Sequence, residues 1–290
     1  MNRSKLKIFA SLSIVGLTAV TFAVFFAKNK TIRDQLFAVS PLLLASLVGL
    51  YFIFMVSLTF IFRASLTLCR VTIPTKEMII VSGYSSVINF FGPLQSGPAF
   101  RALYLKKKHS LKLRDYTLAS LIYYAFYAFY SGLLLVSGIV GWWLLVVAGL
   151  GVLGLVIINK LRPTLLQRML RLPLRGFAEM ALASLAQVAI LVLIFFLELR
   201  SVNGSVTLAQ TLVYTGAANF ALFVSITPGA IGFRESFLLL SQHLHDISNT
   251  TIAAANLLDR GSYIVMLLIT VVILIAGQAG RLIRQVKSDS

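Results

Sequence analysis

The chain of 290 residues is poor in charge and poorest in acids: 12% of its side chains are charged, with 9 Asp and Glu against 26 Lys and Arg. An ordinary soluble domain carries about 25% charged residues, so the usual water-facing surface is excluded. Cysteine is almost absent. Cys69 stands alone, which rules out an internal disulfide and a cysteine metal site, and packing is its expected role. His243 and His245 have no third ligand nearby, so no metal is expected of them. No G-x-S-x-G, P-loop or HExxH stretch occurs, and the sparse acids and histidines form no recognisable catalytic set. Neither an enzyme nor an ATP-driven pump is indicated, and no cofactor is implied. Alternation of apolar and polar residues is also missing, which excludes a β-barrel.

What is abundant is hydrocarbon: 58% of the residues are hydrophobic. Apolar runs at 8–27, 40–62, 116–137, 140–158, 177–197 and 251–277 each approach or exceed the ~20 residues a helix needs to cross ~30 Å of lipid. The first run follows Arg3, Lys5 and Lys7 and ends at Lys28-Asn29-Lys30 without a small-residue cleavage site, so it reads as a retained span. In this setting the net charge of +17 reflects basic loops that orient spans and attract anionic head groups, not nucleic acid. The "KKKHSLKLR" run, with His109 inside it, is one such surface.

Two more apolar stretches, 78–97 and 206–228, are interrupted by Gly92-Pro93 and Ser96-Gly97-Pro98 in the first and by Thr227-Pro228-Gly229 and Gly232 in and just after the second. These residues break helical hydrogen bonding, which a membrane tolerates only where protein or a watery cavity surrounds the broken backbone. If both stretches crossed fully, the basic segments 101–114 and 160–175 would lie outside. If both dip in and return, those segments, the N-terminus, 63–76 and the basic C-terminus with Arg281, Arg284 and Lys287 are all cytoplasmic, as the positive-inside rule asks. The loop from Lys28 to Arg33 remains outside in this arrangement. The expected fold is therefore an all-α polytopic membrane protein with about six transmembrane helices and two opposed re-entrant helical hairpins.

"INFFGPLQSGPAFRALYL" and "ANFALFVSITPGAIGFRESFLLL" each begin near Asn-Phe, break at Pro and Gly, and end in Phe-Arg before an apolar helix. The single transmembrane domain, 1–290, then divides into a first span and loop (1–39), repeat one (40–137), a span with a basic loop (138–176), repeat two in inverted orientation (177–277) and a basic tail (278–290). Inverted repeats with broken helices near the midplane are characteristic of transporters.

Arg101 and Arg234 fall in the first turns of the half-helices after the breaks. The helix dipole disfavours a cation there by about 0.3–1 kcal/mol, and mid-depth placement costs about 2.5–3.5 kcal/mol more. A bound phosphate would offset this, because free amides and a planar guanidinium together make a strong anion site. Snorkelling to the interface or pairing with internal acids would offset it too. Asp259 and Arg260, inside the last span, are the candidates to complete a charge network with Arg234 and Glu235, since adjacent helical residues diverge. Asn89 and Asn219 serve either as caps of hairpin backbone or as ligand contacts. Tyr123, Tyr127 and Tyr130 share a helical face that reads as packing. The candidate substrate-binding set is thus Arg101, Arg234, Glu235, Asp259, Arg260, Asn89 and Asn219, with the breakers Pro93, Gly97, Pro228, Gly229 and Gly232.

"GPLQSGPAFRALYLKK", "TPGAIGFRESFLLL" and "AAANLLDRGSYIV" resemble the lysylphosphatidylglycerol synthase transmembrane region family, the flippase-like N-terminal domain of the bacterial multiple peptide resistance factor, which also has stand-alone members. Pro228, Gly229, Gly232 and Glu235 form the most specific part of the likeness, with Arg234 inside it. The resemblance implies a polytopic fold with re-entrant hairpins and a role in moving or handling lipids with polar head groups, which in a cytoplasmic membrane fits the cytoplasmic termini expected from the charges. Implied partners are anionic or aminoacylated phospholipid or a polyprenyl-phosphate-linked lipid. It also implies that Glu235 and Asp259 meet a cationic aminoacyl group while both arginines meet phosphate. Only "GQAGRLIRQVKSDS" follows residue 276, so lysyl-lipid synthesis is not expected of this chain. The competing expectation is a lipid-binding accessory subunit of a glycosyltransferase or lipid-modifying enzyme that transports nothing.

Overall fold

The computed structural model describes residues 39–91, 96–140, 146, 149, 174–224 and 233–288, with side chains to 137 in the second of these segments and to 276 in the last. Its elements are all helical, with no strand among the described residues: α1 Pro41–Leu68, α2 Thr75–Phe91, α3 Ser96–His109, α4 Leu113–Val140, α5 Leu174–Val202, α6 Leu208–Val224, α7 Phe233–Leu240, α8 Gln242–His245 and α9 Asn249–Ser288. Four helices are long and apolar enough to cross a membrane: α1, α4 over Leu113–Ser137, α5, and α9 over Asn249–Ala276. The protein is an all-helical membrane protein. The apolar run at 8–27 and almost all of that at 140–158 lie outside the described residues.

Local chemistry explains the helix ends. Pro41 sits in the first turn of α1, where its missing N–H costs nothing, and Ser40 Oγ accepts from Leu43 N–H at 3.2 Å. The apolar run predicts an end near residue 62, yet α1 continues through Arg63 to Leu68. Ser65 and Thr67 stay helical by donating to Ile61 O and Arg63 O at 2.9 and 3.1 Å, so polarity leaves the hydrocarbon pattern without ending the helix. Large apolar side chains such as Ile53, Val56 and Phe60 on α1 and Val272, Ile273 and Ile275 on α9 face outward, as lipid solvation allows.

α1 and α5 pack along their lengths in antiparallel fashion: Thr67 donates to Glu179 at 3.1 Å near one end, and Tyr51 lies beside Glu198 towards the other. α2 and α3 fold back on each other. Where they meet α1's end, Glu77 Oε1 accepts from His109 Nε2 at 2.6 Å, Tyr104 Oη at 2.7 Å and Lys108 Nζ at 3.1 Å. Burial disfavours the Glu77 carboxylate, but these bonds outweigh it and hold its pKa at about 2. At the far tip, Asn89 Oδ1 accepts from Gly97 N–H at 3.2 Å, so an asparagine from the incoming arm caps the outgoing one. A Cβ at Gly97 would lie 2.7 Å from Ser85 O, which only glycine permits. The second half closes similarly: the start of α6 is tied to the end of α8 by Gln210 Nε2 donating to Asp246 O at 3.1 Å.

The starts of α1 and α5, Pro41 and Leu174, and of α2 and α6, Thr75 and Leu208, are separated by the same number of residues as Arg101 and Arg234. Helix packing obeys the same exchange. The pairs α1–α2, α2–α3, α3–α4, α4–α5 and α4–α6 have the counterparts α5–α6, α6–α7, α7–α9, α9–α1 and α9–α2. The tightest of these, α4 against α6, needs Gly216, where a Cβ would lie 2.6 Å from Leu135 N.

Candidate functional site

The two break arginines are both buried and both rest on a phenylalanine. Arg101 has its guanidinium carbon 5.1 Å from the centre of the Phe62 ring, and Arg234 lies 4.8 Å from Phe195. Phe62 and Phe195 are separated by the same interval as the arginines, so each helix pair delivers one cation to one ring face.

Around Arg234 the expected charge network is present. Arg234 Nη1 donates to Asp259 Oδ2 at 2.7 Å with both side chains almost wholly buried. The Tyr51 hydroxyl donates to Asp259 Oδ1, so both carboxylate oxygens are engaged. Arg260 turns instead to Glu235, with Nη2 and Nε donating to Oε1 at 3.1 and 3.3 Å. Glu235 therefore pairs with the arginine of α9 rather than with its sequence neighbour, as helical geometry requires.

Arg101 is different. Among the described residues it makes no ion pair, and the Tyr116 hydroxyl is within hydrogen-bonding reach of it; its Nε has no hydrogen-bond partner there, a feature it shares with Nε and Nη2 of Arg234. Arg101 is 8% exposed.

Arg101, Asn89, Arg234, Asn219, Asp259 and Arg260 all line one cavity of about 230 Å³ between the halves. Glu235 braces Arg260 from behind it, and Gly97 lets α2 and α3 approach. Pro93, Pro228, Gly229 and Gly232 lie outside the described residues.

Three readings of the sequence change. Asn89 is a cap, whereas Asn219 donates from Nδ2 to Ser131 Oγ at 3.1 Å and so joins α6 to α4. Their Asn-Phe match is out of register: at the interval of the arginines Asn219 corresponds to Ser86, and Asn89 to Leu222, all four facing the cavity. Tyr123 and Tyr127, read as packing residues, line the cavity with Tyr124, while Tyr130 stacks on Phe126.

Sequence reasoning missed Glu198, which is 1% exposed, near Tyr51, with Oε1 unpartnered among the described residues. Its signal was the "FFLELR" at the edge of the fifth apolar run, an acid only just beyond the hydrocarbon pattern. It also missed Gln187, whose Oε1 accepts from Tyr123 at 3.0 Å across α4 and α5.

No curated protein and no solved structure matches the chain. The family model described as the lysylphosphatidylglycerol synthase TM region matches residues 10–270, a stretch that takes in α1 to α8, both break arginines and Asp259. The chain belongs to the lysylphosphatidylglycerol synthase TM region family.

Proposed function

We propose that the protein is a lipid translocase of the cytoplasmic membrane, not an enzyme, which passes a phosphate-bearing head group through the cavity between two re-entrant hairpins while the tails stay in lipid. The observation that carries this reading is that Arg101 and Arg234, one from each half, face a single cavity. The antiparallel run of α1 and α5, the equal spacing of α1 from α5 and of α2 from α6, and the exchange of packing partners support an inverted repeat. α3, with 14 residues, rises only about 21 Å and ends in Lys106, Lys107, Lys108 and His109, too short and too charged to cross ~30 Å. Its end is bonded to the start of α2, which supports a hairpin that enters and leaves on one face. The corresponding tie between α6 and α8 lies at the opposite end of α5, so the second hairpin enters from the other face. Thr67 beside Glu179 puts the end of α1, with Arg63, and the start of α5, with Arg175, on the same side, which supports a cytoplasmic assignment for both.

The test is movement of fluorescent phosphatidylglycerol in liposomes holding the purified full chain. Acceleration that is lost in Arg101→Ala supports translocation. Specific lipid binding without acceleration sinks it and favours the accessory-subunit reading.

A further inference from the structure

The exchange that relates the halves also shows where they differ, and the difference is electrical. On the inner face of α9 the cavity meets Asp259, Arg260 and Tyr263; at the same spacing along α4 it meets Tyr123, Tyr124 and Tyr127. α4 and α9 start three residues further apart than the two arginines, and in the register of their starts Asp259 stands where α4 has the phenol Tyr123. At the interval of the arginines, Glu198 of α5 corresponds to Ser65 of α1, and Glu235 of α7 to Ala102 of α3. Every acid of the buried network belongs to the second half, which supplies Arg234 and Arg260, while the first half supplies Arg101.

A buried cation in a membrane must be offset. Arg234 has its charge offset internally, with Asp259 held by Arg234 Nη1 on one oxygen and by Tyr51 on the other; its Nε and Nη2 make no hydrogen bond among the described residues, so what separates it from Arg101 is the neutralised charge and not a lack of free donors. Arg101 has no acid within ion-pair distance among the described residues, is more than nine-tenths buried, and opens onto a wall of neutral hydrogen-bonding groups: Ser85, Ser86, Asn89, Tyr116 and Ser120. Ser86 and Ser120 already donate to Ser82 O and Tyr116 O, and Asn89 Oδ1 accepts from Gly97, so the Asn89 amide N–H groups and the Ser85 and Tyr116 hydroxyls are the neutral donors that, beside a single guanidinium, suit an oxyanion taking two parallel N–H bonds.

We infer that the cavity is one-sided: Arg101 is the anion-binding residue for a phosphate mono- or diester, and Arg234 is a positioning residue locked to Asp259 that does not meet the phosphate. This rests on the translocase reading for the source of the anion, a lipid head group, but the site itself would bind free phosphate by the same chemistry. It departs from the symmetric assignment in which both arginines hold the phosphate.

The experiment uses the full chain in phosphatidylcholine nanodiscs, titrated calorimetrically with dihexanoyl phosphatidylglycerol and, separately, with inorganic phosphate. Loss of a charge-assisted, bidentate contact in Arg101→Gln is expected to weaken anion binding by at least about tenfold. Neutralising the locked pair together, Arg234→Gln with Asp259→Asn, is expected to change it by less than about threefold, since no direct contact to the anion is removed. Tyr123→Asp, which gives Arg101 the internal acid that Arg234 already has, is expected to abolish binding with Arg101 still present, and it covers the case in which Arg101→Gln does not fold. Binding lost equally in the pair-neutralised variant, retained in Arg101→Gln or Tyr123→Asp, or absent from wild type for both probes overturns the one-sided site. Binding of inorganic phosphate alone upholds the site and makes free phosphate its ligand. An Arg101-dependent lipid affinity in a protein that moves no lipid overturns the translocase reading while leaving the site in place.

Discussion

Replacing Asp259 by Asn removes a charge without removing volume, and the structure sets the size of the effect. The Arg234–Asp259 contact is 2.7 Å long between side chains that are 7% and 6% exposed. Taking one partner from a buried pair costs about 3–5 kcal/mol because the other charge is left uncompensated, against about 0–1 kcal/mol for a surface pair. Phe195 would still cover the guanidinium, a contact worth up to about 2 kcal/mol when desolvated. The amide oxygen of the substituted side chain would keep an acceptor for Tyr51. The expected loss is therefore about 3 kcal/mol, at the lower end of the buried range. Reversible unfolding in mixed micelles with increasing dodecyl sulfate measures it, and a cycle with Arg234→Gln isolates the pair. The double variant should cost about 2 kcal/mol less than the sum of the singles, since neither charge is then stranded. A single-variant loss under about 1 kcal/mol, or strict additivity, would refute the claim that this pair is buried and coupled.

Gly216→Ala should cost about 1–3 kcal/mol, read in the same unfolding assay, because the added methyl meets backbone of α4 and not a movable side chain; an unchanged midpoint would show that the α4–α6 contact is looser. Asn89→Ala should raise amide exchange at Gly97 and cost about 1 kcal/mol as a lost cap, and unchanged exchange would argue against the cap. Glu77 has a folded pKa of about 2, below its ordinary 4.5, so its stabilisation is complete above about pH 4.5 and fades as pH falls towards 2. Glu77→Gln should lower stability at pH 7 and flatten that acid limb; an identical limb would mean the carboxylate is unpaired. In a Cys69→Ser background, cysteines at Lys107 and Gln242 should label from opposite faces of the membrane, and labelling from one face would contradict opposed hairpins.

Much of this protein follows from sequence because the membrane makes local rules strict. A run such as 40–62 must be helical, since lipid offers no partner for its backbone, and the prolines and glycines near 93 and 228 predict that helices end before them, as α2 does at Phe91 and α6 at Val224. With so few acids in the apolar runs, Asp259 and Glu235 were the obvious partners for Arg234 and Arg260, although not which belonged to which. What the sequence could not decide is whatever depends on the faces that helices turn to one another. The cap at Asn89, the interhelical role of Asn219, the ring contacts of Phe62 and Phe195 and the burial of Glu198 join residues far apart in the chain, and no periodicity encodes such meetings. The thin likeness between the halves pointed to two equal arginines. Packing made them unequal, because α9 sets a carboxylate against one and α4 sets a phenol beside the other, and a buried charge is defined by the groups that surround it rather than by its own residue type.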